Sequence, residues 1–291
     1  MKSIEVVCAH KSELGEGPIW DEKRGLICWV DILSGHVHEW SVENKKLRTL
    51  EIGQMIGAMA VASSVNYVAA LHHGFAYLDR KHGEVQPIAD PEKHLPGNRF
   101  NDGKCDPAGR FWAGTMPLSE DKAAGSLYVL HKNGTVEKKE DTITISNGLA
   151  WCQREKAFYY IDSPTLQVVR YDYDEATGAI SNKRTIIQIP KEEGFPDGMT
   201  IDKEGMLWIA HWGGGQVTRW NPKTGEQLAA FKLPVSNVTS CTFGGPTLEN
   251  LYITTARKGL SEEELKRQPL AGSLFVIENC GYTGMPANIF G

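Results

Sequence analysis

Hydrophobic positions along this chain come in short runs, broken every few residues by Gly, Asp, Asn, Pro or Lys. The runs are rich in β-branched and aromatic residues and are bounded by turn formers, which predicts short strands. No helix of ordinary length is needed to account for the pattern. One short helical insertion is predicted at "SEEELKRQ", residues 261–268, from a Ser N-cap followed by acids in the first turn.

The runs repeat in a fixed order. A first set reads "GPIWD", "GAMAVAS", "GKCDPAG", "GLAWCQ", "GMTIDKEG" and "CTFGGPT". A second reads "LICWVDI", "NYVAALHH", "RFWAGTM", "AFYYIDS", "LWIAHW" and "LYITTA", and a third "GHVHEWSV", "GFAYLDR", "GSLYVLHK", "QVVRYDYD", "GQVTRWNP" and "GSLFVIE". We call these strands A, B and C. Gly17, Gly57, Gly103, Gly148 and Gly198 open the first five A strands, and a sixth unit starts near Cys241. Their period of about 40 to 50 residues is that of four-stranded propeller blades. "DEKRG", "DPAGR" and "DKEGM" fit hairpin turns between A and B.

The fourth strand gives the phase. Five D strands follow, "KLRTLEI", "VQPIAD", "VEKKEDTI", "KRTIIQI" and "QLAAFKL". After the sixth C strand comes "NCGYTGMPANIFG", a poor strand, whereas "IEVVCAH" precedes the first A strand. A closed ring leaves no free edge. Residues 4–9 are therefore expected to complete the last blade. The expected fold is all-β, a six-bladed β-propeller formed by residues 1–291 as a single domain.

Composition narrows the function without naming it. The net charge of −5 offers no basic footprint for nucleic acid or an anionic membrane. No segment approaches the roughly 20 apolar residues that span a bilayer. The opening "MKSIEVVCAHKSELG" lacks a long apolar run and a small-residue cleavage site, so a cytoplasmic protein is expected. None of the six cysteines forms a C-x-x-C pair, and most lie in apolar runs, which predicts buried, reduced thiols. A monomer or weak oligomer is expected.

The candidate chemistry lies just before the A strands. In a propeller these strands line the central channel, so Glu16, Ile56, Asp102, Asn147, Asp197 and Ser240 should converge at one mouth, with Arg99 and Asn101 in the same entry loop of blade three. Four of the six ring positions carry carboxylate or carboxamide oxygens, the donors that calcium, magnesium and manganese prefer. No His or Cys joins them, which argues against zinc of the usual nitrogen/sulfur kind. An Asx-Gly pair is also an ordinary turn. Asp102 in "NDG" is read mainly that way, and Glu16, Asn147 and Asp197 as the metal set.

At these residues the sequence resembles the SMP-30/gluconolactonase/LRE family. "LGEGPIWD", "GNRFNDGKCDPAGRFWAGTM", "ISNGLAW" and "FPDGMTIDKEGMLWIA" are similar to its signature segments in order and spacing. The resemblance implies one divalent metal at the axis, calcium most readily, with zinc, magnesium or manganese as alternatives. It places the ligands on Glu16, Asn147 and Asp197 and substrate contacts on Arg99 and Asn101. It implies a sugar lactone as substrate and hydrolysis as the reaction, with Asp197 either the base or the ligand that orients the attacking water. In place of the adjacent acids that some members carry after "GTM", this chain has "PLSEDKAAG", so Ser119 or Glu120 takes that position.

The walls of the pocket would come from the B-to-C loops, with His72, His73, His211 and Trp212 among them and two long loops as lids. A calcium-binding regulator without turnover, or an esterase or phosphotriesterase, fits the same fold. The G-H and W-D signature of WD40 scaffolds is absent.

Overall fold

In the computed structural model, which describes residues 3–63 and 66–291, the strands form six four-stranded antiparallel sheets among the described residues. Blade one comprises Gly15–Asp21, Leu26–Asp31, His36–Ser41 and Lys46–Glu51, and blade two Ile56–Val61, Tyr67–Leu71, Gly74–Leu78 and Val85–Ala89. Blade three comprises Asn98–Cys105, Phe111–Pro117, Gly125–Leu130 and Val136–Ile143, and blade four Ser146–Cys152, Ala157–Asp162, Gln167–Tyr173 and Ile180–Gln188. Blade five comprises Phe195–Ile201, Leu207–Trp212, Gln216–Trp220 and Gln227–Lys232. The molecule is the six-bladed β-propeller that the repeat predicts.

The sixth blade is built from both ends of the sequence. Val238–Gly244, Asn250–Thr255 and Phe275–Ile277 supply its first three strands, and Glu5–Val6 supplies the fourth by pairing with Phe275 and Val276. The closing strand is shorter than the expected span of residues 4–9. Past Val6 the segment continues with single bonds, Val7 N–H to the Leu274 carbonyl and Ser12 N–H to the Gly272 carbonyl, each 2.8 Å, before it enters blade one. The sixth A strand begins upstream of Cys241, at Val238. The predicted helix is Glu262–Arg267, held by a capping box in which the Ser261 hydroxyl accepts from Glu264 N–H.

The core lies between blades. Trp29, Trp112 and Trp208 are fully enclosed in it, as their positions in B strands predict. Their indole N–H groups need partners once buried. Trp112 and Trp208 donate to Asp106 and Asp202, both at 2.9 Å, and Trp29 donates to Ser12 at 3.2 Å. All six cysteines are buried, with no disulfide among the described residues. No helix among the described residues is long and apolar enough to cross a membrane.

The final segment is not a strand, yet it has a job. Lys203 N–H donates to Thr283, Asn288 Nδ2 to the Cys105 carbonyl, and Phe290 N–H to Val61. It thus straps blade five to blades two and three across the end of the channel away from the pre-glycine ring.

Candidate functional site

Every channel-lining strand starts with the same distortion. Its ladder to the second strand slips between Glu16 and Ile19, Ile56 and Ala58, Phe100 and Gly103, Asn147 and Leu149, Pro196 and Met199, and Val238 and Ser240. A β-bulge bends its strand and re-aims a side chain. The pre-glycine residues therefore sit on or beside bulges inside the strands, not in entry loops as the sequence indicated. Crowding at the axis explains the glycines. A Cβ on Gly148 would lie 2.8 Å from Met199 Cβ and 2.9 Å from the Asp197 carbonyl oxygen. Gly17 answers a different demand, a φ of +51° in the left-handed region.

The bulges bring the expected residues together. Glu16, Asn147 and Asp197 are buried at the mouth, only 4%, 4% and 6% exposed, and the Glu16 and Asp197 carboxyls lie within hydrogen-bond reach of each other. Asn147 Nδ2 donates to Ser163 Oγ at 2.8 Å, and that hydroxyl donates to the Pro196 carbonyl at 2.6 Å, one residue before Asp197. With its nitrogen committed, the amide presents its oxygen on the other side, where Asn101 Nδ2 donates to it at 3.0 Å. Asn101 Oδ1 in turn accepts from Arg99 Nη1 at 2.7 Å, and the same nitrogen reaches the Phe100 carbonyl at 3.0 Å. Arg99, Asn101 and Asn147 are thus one linked unit.

Charge is unbalanced here. Burial, then the nearby Asp102 charge, pushes the Glu16 carboxyl up to about 8. Burial and the Glu16 charge hold Asp197 well above the ordinary carboxylate range. Burial draws the Arg99 guanidinium down to about 10 against the opposing pull of Glu120, Glu16 and Asp197. Asp102 behaves as its turn predicts, accepting Gly103 N–H at 2.7 Å, but its charge also bears on Glu16 and Asp197. Lys104, whose ammonium donates to the Met199 carbonyl at 2.6 Å, is its nearest counter-charge.

Two loops meet over this mouth. Glu120 is exposed on the loop after Phe111–Pro117 and is paired with Lys258 on the loop of blade six. Ser119 bonds instead to Asp121, so Glu120 is the one whose charge Arg99 feels. Lys258 and Ser163 were not singled out in the sequence. Lys258 acts on Asp197 through its charge, and Ser163 fixes the Asn147 amide. Neither sits in a repeated motif, so no local signal marks them.

His72 and His73 stack with ring centroids 4.5 Å apart and line a cavity of about 350 Å³ beside Arg99, with Asn98 and Thr115. His211 is fully buried, its ring nitrogens engaged by the Glu193 carbonyl at 3.0 Å and Thr218 Oγ1 at 2.6 Å, and burial lowers it to about 4. It is a neutral wall residue rather than a free acid. Trp212 packs half-buried against the apolar core of blades one and two. A larger cavity, about 1140 Å³, opens at the other end of the channel among Ile19, Lys104, Ile201 and Met285. Volume alone would select that end. Convergent polar groups select the other.

A second cluster lies outside the channel and was not anticipated. His10, Asp31 and His38 bring ligand atoms within 4.8 Å of one another. "GHVHEW" marks the histidines of one strand, but the partner in "CAHK" arrives only when the ring closes.

The mouth suits a hard cation. Its donors are two carboxyls and an oriented amide oxygen, an all-oxygen set of the kind calcium, magnesium and manganese take. Two buried carboxyls forced into contact, with too little positive charge nearby, are what a dication relieves.

Residues 14–257 match the model of the SMP-30/gluconolactonase/LRE-like region. Regucalcin from Xenopus laevis is 41% identical, the alignment covering 100% of this chain and 99% of that protein. Among solved structures, a luciferin-regenerating enzyme superposes with a TM-score of 0.94 at 32% identity, covering 100% of this chain and 99% of the other. A calcium-binding protein, regucalcin from Agrobacterium tumefaciens, gives a TM-score of 0.94 at 29% identity over 100% of this chain and 98% of the other.

Proposed function

The chain belongs to the SMP-30/gluconolactonase/LRE-like family, and from that premise we propose that it is a divalent-metal-dependent hydrolase opening sugar lactones at the channel mouth. The observation that carries this reading is the contact of the Glu16 and Asp197 carboxyls beside the oriented Asn147 amide, with a buried arginine held next to them.

Glu16, Asn147 and Asp197 are the residues that would hold the cation, calcium first by donor type. When bound it supplies Lewis acidity toward the lactone carbonyl and makes water a better nucleophile at neutral pH. Arg99 is already pinned through Nη1. We assign its Nη2 and Nε to the substrate, as donors to ring hydroxyls or to the negative charge that grows on the carbonyl oxygen. Asn101 completes that contact. Glu120, tied to Lys258 above the mouth, is assigned to the sugar's outer hydroxyls. In the reaction water adds to the carbonyl carbon, the ring C–O bond breaks, and the ring oxygen leaves as a hydroxyl after taking a proton. Asp197 serves either by accepting the water's proton or by orienting that water. The likeness to a calcium-binding protein supports a competing reading, a cation binder without turnover.

Hydrolysis of D-glucono-1,5-lactone and a small lactone panel by metal-stripped protein, with and without added calcium, magnesium, manganese or zinc, separates the two. Metal-restored proton release that Asp197→Ala lowers by about a thousandfold supports the lactonase, several kcal/mol being what a positioned metal supplies. Tight binding without turnover on any lactone favours the binder. Asp197→Asn then divides the two roles. Retained cation with lost turnover marks a base, and loss of both marks a ligand.

A further inference from the structure

The cluster in blade one is made of nitrogen and oxygen rather than oxygen alone. His38 stands on His36–Ser41, Asp31 ends the neighbouring strand, and His10 lies in the segment crossing from blade six to blade one. His38 and Asp31 are 0% and 2% exposed, while His10 is half-buried at the rim. The His10 and His38 rings approach to 4.1 Å between centroids at an interplanar angle of 48°.

Two ring nitrogens in this cluster are buried without a hydrogen-bond partner, His10 Nε2 and His38 Nε2. Buried polar atoms are nearly always bonded, and an orphan needs an explanation. The other nitrogen of His38, Nδ1, lies 2.9 Å from Thr49 Oγ1. With its proton donated to that hydroxyl, Nε2 carries the lone pair a metal needs. Asp31 is equally fixed, accepting from Glu13 N–H at 2.8 Å, Leu14 N–H at 3.0 Å and Ser34 Oγ at 2.9 Å. Three donors leave a fourth lone-pair site on the carboxylate.

We propose that His10 Nε2, His38 Nε2 and the Asp31 carboxylate form a second metal site, for a borderline divalent transition ion with zinc the best fit, distinct from the oxygen site at the channel mouth. Two imidazoles and one carboxylate are a recurrent zinc donor set, with a fourth position left for water. Tetrahedral zinc sets its ligand atoms roughly 3.4 Å apart, so the cluster, spread over up to 4.8 Å, must tighten. His10 is the ligand free to move, since its backbone belongs to a strap rather than a ladder. A metal here joins the crossing segment to blade one at the place where the ring is closed.

The test uses the full metal-stripped chain with calcium in excess to occupy the oxygen site. Cobalt(II) and then zinc(II) are titrated into wild type, His10→Asn and His38→Asn. Wild type should take up one cobalt per chain with the strong visible absorption of a low-coordinate nitrogen-ligated ion, and zinc should displace it. His10→Asn, on the half-buried strap, should weaken zinc by about a hundredfold and abolish the rise in thermal midpoint that zinc gives wild type. Lactone turnover by His10→Asn should be unchanged. Absence of a zinc-displaceable cobalt spectrum in wild type overturns the proposal. So does zinc affinity in His10→Asn within tenfold of wild type, whatever His38→Asn does to folding.

Discussion

Four arginines are almost equally buried, Arg80, Arg110 and Arg219 at 5% exposed and Arg99 at 4%, yet their surroundings treat them in opposite ways. Burial alone would lower each. In the blades the surroundings more than reverse that effect, through carboxylates at Arg110 and Arg219 and through Tyr67 and then carboxylates at Arg80. Arg110 bonds to Asp106 at 2.6 Å, Arg219 to Asp202 at 2.7 Å, and Arg80 to Asp21 at 2.6 Å and, through Nε, to Glu39 at 2.9 Å, and all three end above the ordinary value. At the mouth, Arg99 bonds to a carbonyl and an amide and ends below it, while the acids beside it end high. The blade charges are mutually satisfied and serve the fold. The mouth charges are left in excess, an imbalance that costs stability and that the proposed cation would relieve.

The largest effect expected from this contrast is in the blades. Asp202→Asn leaves Arg219 with only the exposed Glu204 and takes the charge from the Trp208 acceptor. It should cost about 3 kcal/mol in urea unfolding, the usual penalty for stranding a buried charge, while turnover per folded molecule stays near wild type. The opposite sign is expected at the mouth. Asp197→Asn in metal-free protein should raise stability by about 1–2 kcal/mol, since it removes one of two crowded charges. Added calcium should stabilise wild type and not the variant. A loss of stability for Asp197→Asn in the absence of metal would break the comparison.

The smallest effect concerns a buried group kept neutral. His211 is lowered to about 4 in the fold, so the unfolded chain takes up its proton first as pH falls. Its contribution is complete above the ordinary histidine value near 6.5 and is lost as pH drops through 4. His211→Gln should flatten the acid limb of the stability profile across that window. An unchanged limb would show that other groups govern it.

Much of this was legible in the chain. The blades could be counted because each strand needs only its own residues and nearby turn signals to declare itself. Glu16, Asn147 and Asp197 could be singled out as candidates because the ring repeats the same entry six times, and an acid or amide before a glycine stands out against Ile56 or Ser240. The bulges could not be read, because a register slip is a relation between two strands. Ser163 and Lys258 could not be read, because Ser163 meets Asn147 only once two strands of blade four pair and then reaches Pro196 of blade five, while Lys258 of blade six meets Glu120 of blade three. The hairpin acids were assigned to turns and proved to do more: in "DPAGRFW" and "DKEGMLW", Asp106 and Asp202 also accept the indole of the tryptophan six residues on.

The closure of the ring through Glu5–Val6 has a consequence for how the molecule comes into being. The pairing partners of this strand, Phe275 and Val276, lie about 270 residues further along the sequence, so an early strand waits for a much later one during synthesis. Domains of high contact order fold slowly because distant ends must meet before their contact is rewarded. Until then the sixth blade has an open edge, the kind of surface on which nascent chains pair with one another. Two paired residues and a few single bonds make a light latch, quick to open. Whatever strengthens it lengthens the life of the closed ring without changing any blade.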